Sequence, residues 1–198
     1  MTQLGAIFAV HSRAGDVLCL NGDLGVGKSR FAQGFIRHYF NDPEMDVPSP
    51  TFLIDQCYED PRSRLEAGDP QKSWPSVHHM DFYRFDEDMT DEMLRDNFEI
   101  LELEQAFQND ICLIEWGERL RHTPTADVLH LDITYDWDLT SSTSGNDPEA
   151  SINFDKVGRH VVLRQPLPQS WLDDADASHP RIEAVLDKWH NRKSTNAA

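Results

Sequence analysis

The stretch Leu20–Phe31 reads "LNGDLGVGKSRF". Gly22, Gly25 and Gly27 stand there with Asp23, Lys28 and Ser29, directly after the apolar run "VLCL" at 17–20. Glycines let successive backbone N–H groups converge on one oxyanion with no Cβ in the way. From Lys28, "KSRFAQGFIRHYF" spaces Phe31, Phe35 and Tyr39 four apart, which predicts a helix. Strand, glycine loop and helix follow in order, and the positive end of the helix adds to the pull on an anion. Gly22–Ser29 fills every fixed position of G-x-x-x-x-G-K-[ST], the phosphate loop in which the lysine reaches the β/γ-phosphates and the hydroxyl holds Mg²⁺. The expected nucleotide contacts are Asp23, Leu24, Gly25, Val26, Gly27, Lys28, Ser29 and Arg30.

The base expected is adenine, so the nucleotide is ATP. A GTPase needs an N-K-x-D-type guanine reader, and the chain has none. Asp155-Lys156-Val157-Gly158 matches the letters D-x-x-G, but it lies far downstream beside a polar loop and reads as coincidence.

Hydrolysis needs a second carboxylate to orient Mg²⁺ and a group to position water. "VHHMD" ends in Asp81 and "ICLIE" in Glu115; each acid closes an apolar strand-like run, where a carboxylate emerges beside the loop. The bland alternative for either is a solvated acid at a strand end. His78, His79 and Asp81 resemble metal ligands, but no further Cys/His cluster completes a zinc site.

Composition bounds the rest. At 198 residues, one domain with its own core is expected. There are 18 Lys+Arg against 35 Asp+Glu, a net charge of −17, which repels phosphodiester backbones and anionic membranes. Tight direct binding of tRNA or membrane is therefore not expected. Cys19, Cys57 and Cys112 have no paired spacing, which suits a reducing compartment. No apolar run approaches the ~18 residues of a membrane span, and the start of the chain carries no leader pattern. The cytoplasm is expected, or an organelle if the source is eukaryotic.

Along the chain, "LGAIFAVH" at 4–11 predicts a short amphipathic helix and "VLCL" a buried strand. Two prolines at 48 and 50 predict an extended loop feeding a strand at Phe52–Tyr58. Residues 59–76 read as a polar insertion, "EMLRDNFEILELEQAF" as helix and "VLHLDITYDW" as a half-buried strand. Residues 138–153 read as a disordered polar loop. "RHVVLRQP" returns antiparallel to the strand before that loop, and a helical extension from about 170 carries Ile182, Val185, Leu186 and Trp189 on one face. Arg181, Lys188, Arg192 and Lys193 form the densest basic cluster, read as a solvated helix face.

"GDLGVGKS", "SPTF" at 49–52, "HMDFYR" at 79–84 and "IEWGERL" at 114–120, in this order, resemble the TsaE (YjeE) family, the ATPase of bacterial tRNA threonylcarbamoyladenosine synthesis. The resemblance covers roughly residues 2–135 and the strand near 160. It implies an α/β fold, a three-layer P-loop NTPase with a mixed parallel/antiparallel central sheet. It implies that Lys28 and Ser29 hold phosphates and Mg²⁺, and that Thr51 sits on a switch loop sensing γ-phosphate and metal. Asp81 becomes the second magnesium carboxylate. Glu115 acts on the attacking water beside the metal, with Trp116 shaping the nucleotide site. The implied partners are a TsaB/TsaD-like pair that transfers threonylcarbamoyl to a tRNA adenosine, reset by ATP turnover. Val26 replaces the usual alanine, and the insertions and the tail are long for the bacterial pattern.

Two other functions stay open on the sequence. A small-molecule kinase uses the same loop but needs an acceptor pocket and an Arg-rich lid; Arg62, Arg64 and Lys72 show no clear lid pattern. A nucleotide-binding scaffold needs no turnover and tolerates loss of Glu115.

Overall fold

The apolar run before the glycine loop forms a strand, Val17–Asn21, buried at all five positions. It lies near the middle of a seven-stranded sheet. The computed structural model describes residues 1–51, 53–60, 74–84, 103–119, 127–135, 151–154, 159–164, 167–172 and 181–195. In chain order the elements are α1 (Thr2–His11), β1 (Val17–Asn21), α2 (Lys28–Tyr39), β2 (Asp55–Tyr58), β3 (Val77–Asp81), α3 (Leu103–Asn109) and β4 (Ile111–Glu115). They continue with β5 (Val128–Tyr135), β6 (Ser151–Phe154), β7 (Arg159–Leu163), α4 (Gln169–Leu172) and α5 (Arg181–Thr195). The sheet order is β2-β3-β4-β1-β5-β7-β6. β3, β4, β1 and β5 run parallel. β2, β7 and β6 run antiparallel to their neighbours. The fold is α/β with the mixed sheet that was expected.

Period-two alternation sorts the strands' side chains between two cores. Leu18, Leu20, Leu113, Leu129 and Leu131 face one side, packed with α1, α2, α4 and α5. Val17, Cys19, Met80, Cys112 and Ile114 face the other, against Leu103, Ala106 and Phe107 of α3. Helices thus cover both faces in three layers. On the first face α1 and α2 touch through glycines. A Cβ on Gly5 would lie 2.1 Å from the Phe31 carbonyl, and one on Gly34 would lie 2.0 Å from the Thr2 carbonyl.

Three expectations change. The strand expected at Phe52–Tyr58 begins at Asp55, because Ile54 has φ +68 and cannot continue the extended chain. Ser151–Asn153, read as the end of a disordered loop, form with Phe154 an edge strand laddered onto β7. Its alternating Ser-Ile-Asn-Phe was the available signal, hidden by the polar run before it. Arg181 is not on a solvated face. It is buried, donates to Asp16 and to the carbonyls of His11 and Ser170, and stacks its guanidinium 4.1 Å from the Trp171 ring centre. Most of the 59–76 insertion, residues 92–102 of the helical reading, Leu120, most of 138–153 and Asp155–Gly158 lie outside the described residues.

Candidate functional site

The loop after β1, the start of α2, the ends of β3 and β4 and the turn before β2 bring the site together at the C-terminal edge of the parallel strands. β1 ends at Asn21 and turns into the loop. Gly22 has φ +125, and a Cβ there would sit 2.1 Å from the Ile133 carbonyl, so only glycine fits this exit. Gly27, with φ +112, caps α2 with no side-chain cap, and no acid lies in the first turn. The first N–H groups of α2 have no capping side chain from the helix's own first turn.

Lys28 is buried. Its Nζ donates to the Gly22 carbonyl at 2.5 Å and the Asp23 carbonyl at 2.9 Å, and lies 3.7 Å from the centre of the Trp116 ring. Burial lowers the pKa of its ammonium; the Glu115, Glu118, Asp81 and Asp23 carboxylates oppose that shift without cancelling it. Trp116 reaches this position with φ +62, an uncommon conformation for a bulky residue that the surrounding packing must enforce.

Opposite the lysine stand two carboxylates. Asp81 and Glu115 are register partners at the ends of β3 and β4, both buried. His79, Asp81 and Glu115 alternate onto the face that carries α2. Ser29, in the first turn of α2, donates its hydroxyl to Glu115 Oε2 at 3.0 Å. His79 Nε2 lies 2.8 Å from Glu115 Oε1. Thr51, in the turn before β2, donates to Asp81 Oδ2 at 2.7 Å, and Ser49 Oγ lies 2.9 Å from Thr51 Oγ1. Asp81 Oδ1 accepts the Tyr83 backbone N–H at 2.8 Å.

A cavity of about 380 Å³ opens between these groups, lined by Leu24, Gly25, Gly27, Lys28, Ser29, Arg30, Thr51, Asp81, Glu115 and Trp116. Of the residues singled out from sequence, Asp23 and Val26 do not line it; Val26 is in the core. Sequence reasoning missed Gln33, Ser49 and Tyr83 as lining residues. It also missed Tyr135, whose hydroxyl donates to the Gly25 carbonyl at 2.9 Å and ties the loop to β5. A tyrosine closing an alternating strand carries no signal for that tie. Chemically, one side of the cavity offers an ammonium and free backbone N–H groups, which suit an oxyanion. The other offers only oxygens, from Ser29, Thr51, Asp81 and Glu115, which suit a hard divalent cation. His78 lies away from this cluster, beside Asp55 at 2.8 Å. Among the described residues no group of three or more His, Cys, Asp and Glu side chains is arranged to hold a metal ion. No helix among them is long and apolar enough to cross a membrane.

The chain is similar to known proteins of one family. The tRNA threonylcarbamoyladenosine biosynthesis protein TsaE of Rickettsia prowazekii is 30% identical over 129 residues, 64% of this chain and 74% of that protein. The protein of the same name from Bacillus subtilis is 29% identical over 166 residues, 83% of this chain and 85% of that one. The crystal structure of Bacillus subtilis YdiB superposes with a TM-score of 0.50 at 20% identity, covering 97% of this chain and 88% of that one, a likeness of fold. The family model "Threonylcarbamoyl adenosine biosynthesis protein TsaE" matches residues 1–142. That span holds the glycine loop, Thr51, Asp81 and Glu115 together, and with it the chain belongs to the TsaE family.

Proposed function

We propose that the cavity binds ATP with Mg²⁺ and hydrolyses the nucleotide in the service of tRNA N6-threonylcarbamoyladenosine synthesis. The observation that carries this reading is the convergence of Ser29, Thr51, Asp81 and Glu115 oxygens opposite Lys28 across one cavity. The residues fit the groups: an uncapped helix N-terminus and a buried ammonium for phosphate, and four oxygen donors for the cation.

Lys28 leaves the Gly22 and Asp23 carbonyls for the β/γ-phosphates. Ser29 and Asp81 hold Mg²⁺, with Thr51 reporting on the γ-phosphate side. Bound Mg²⁺ supplies neutralisation of charge on the phosphate oxygens. Glu115 orients the attacking water and accepts its proton beside the metal. Trp116 supports the Lys28 stem and one wall of the nucleotide site, and Arg30 and Leu24 line its mouth. Turnover resets a TsaB/TsaD-like transferase pair, in the cytoplasm or in an organelle of a eukaryotic source. With 35 acidic and 18 basic residues, the chain meets that pair and not tRNA directly.

The test is steady-state phosphate release from the purified chain, with and without the partner pair. The expected result is slow turnover alone and faster turnover with partners. Transfer of the γ-phosphate to a small acceptor decides for a kinase, and binding without turnover in both conditions decides for a scaffold. A tRNA titration at physiological salt should show no micromolar binding.

A further inference from the structure

His79 has no part in the chemistry described so far, yet it is fully buried one residue pair from the site. Its Nε2 lies 2.8 Å from Glu115 Oε1. Its Nδ1 is buried with no hydrogen-bond partner. These two facts fix the ring. A proton on Nδ1 would bury an N–H with no acceptor, a rare and costly arrangement. Without a proton on Nε2, two lone pairs would face each other at 2.8 Å unless Glu115 carried one. The neutral ring with its proton on Nε2 satisfies the donor, leaves only a bare ring nitrogen unpaired, and gives Glu115 Oε1 the donor its burial requires.

The other oxygen of Glu115 is the one that accepts from Ser29 Oγ at 3.0 Å. The carboxylate is therefore divided. Oε1 is occupied from within β3, and Oε2 is left toward α2 and the cavity. Alternation places His79 there because it sits two residues before Asp81 on the same strand face. Leu113 is its register partner on β4, two residues before Glu115. The imidazole thus reaches diagonally along the sheet to the next carboxylate.

We propose that His79 is a positioning residue: its Nε2–H clamps Glu115 Oε1, so that Oε2 alone is presented to Ser29 and the reacting side of the cavity. This rests on the reading of the cavity as an ATP and Mg²⁺ site. Groups behind a reacting or ligating carboxylate act by fixing its orientation, and their loss typically costs 10–100-fold in metal affinity or activity. The Nε2–H of His79 holds the Glu115 plane from a side that the Ser29 hydroxyl does not use.

The first test uses the wild-type protein and nitrogen-15 NMR of the imidazole rings. The expected signature is a neutral His79 ring protonated at Nε2; a ring protonated at Nδ1 overturns the proposal. The second compares His79→Leu, which fills the space without a donor, with His79→Gln, which restores an N–H at similar reach. Each is read by a Mn²⁺ titration of the ATP-bound protein followed by electron paramagnetic resonance, and by kcat and KM for ATP. His79→Leu is expected to weaken Mn²⁺ binding or lower kcat by about 10–100-fold with KM changed less than about threefold, and His79→Gln to recover most of the loss. Wild-type Mn²⁺ affinity and kcat in His79→Leu, or a loss as large in a folded His79→Gln, overturns it. If His79→Leu does not fold, the ring tautomer and His79→Gln still decide. A wild-type chain that binds neither ATP nor Mn²⁺ sinks the nucleotide reading, whereas indifferent His79 variants of an active chain sink only the clamp.

Discussion

Asp81 and Glu115 are register neighbours on adjacent parallel strands, but their hydroxyl partners come from different segments. Glu115 takes the Ser29 hydroxyl of α2, and Asp81 takes the Thr51 hydroxyl of the loop before β2. The two acids are thus tied to the phosphate loop and to the proline-framed segment separately, and their loss should be felt separately. Glu115→Gln is expected to bind ATP normally and to hydrolyse it roughly 10²–10⁴ times more slowly in single turnover. Asp81→Asn is expected to raise the Mg²⁺ concentration for half-maximal rate by about tenfold or more. Equal behaviour of the two variants in a Mg²⁺ series would contradict the division of roles.

Lys28→Ala should lower ATP affinity at least about tenfold, because an ammonium–phosphate contact is a charge-assisted hydrogen bond. The variant also frees the Gly22 and Asp23 carbonyls that Lys28 holds. Calorimetric titration with ATP checks the affinity, and unchanged binding would remove the phosphate reading.

The loop glycines should fail for different reasons. Gly22→Ala meets the Ile133 carbonyl at 2.1 Å in addition to a left-handed φ, and is expected to destabilise by ~3 kcal/mol or more. Gly25→Ala has open space and only a φ of +84 against it, so ~1–2 kcal/mol is expected. Urea unfolding midpoints measure the difference.

His78 gives the chain a pH dependence on the alkaline side. Burial pushes its imidazole down, but hydrogen bonds with Asp110, Asp55 and Cys57 outweigh this and raise it from 6.5 to about 11. A folded-state pKa above the unfolded one contributes stability that is complete below about pH 6.5 and is lost as pH rises toward 11. His78→Gln should therefore be less stable than wild type near neutrality. Its thermal midpoint should also fall less between about pH 7 and pH 10. Parallel curves for the two proteins would show that His78 is not charged in the fold.

Arg181 and Asp16 form a buried pair. Arg181→Leu strands the Asp16 carboxylate, and a loss of about 3–5 kcal/mol is expected. Burial already raises the pKa of Asp16 against the pull of Arg181 and Arg13, so the defect should shrink in acid, where Asp16 is protonated. Asp16→Asn added to Arg181→Leu should recover part of the loss near neutral pH. Chemical denaturation of wild type, Arg181→Leu and the double variant, at neutral and acid pH, tests both statements.

The parts legible in sequence were those written in local pattern. The phosphate loop, its flanking strand and helix, and the two strand-terminal acids each occupy a few contiguous residues, and the structure gathers them at one cavity. What escaped was non-local or conformational. Arg181 looks like any helical arginine until a residue 165 positions away meets it. Tyr135 reaches Gly25 only because β5 pairs beside β1. The start of β2 was misplaced because a left-handed Ile54 has no compositional marker. His79 was visible as a possible ligand, but its actual partner is set by sheet register.

The glycine seam between α1 and α2 bears on how the chain can be divided. With Gly5 against the Phe31 carbonyl and Gly34 against the Thr2 carbonyl, neither helix leaves room for solvent or for another surface. Phe8 and Phe31 rings meet across the same contact at 5.5 Å. The two helices should consequently open and close to hydrogen exchange as a single unit, with similar protection. A fragment beginning at β1 would keep every residue of the loop yet bare the backbone and aromatic flank of α2, and it would aggregate before it could serve as a minimal nucleotide-binding protein.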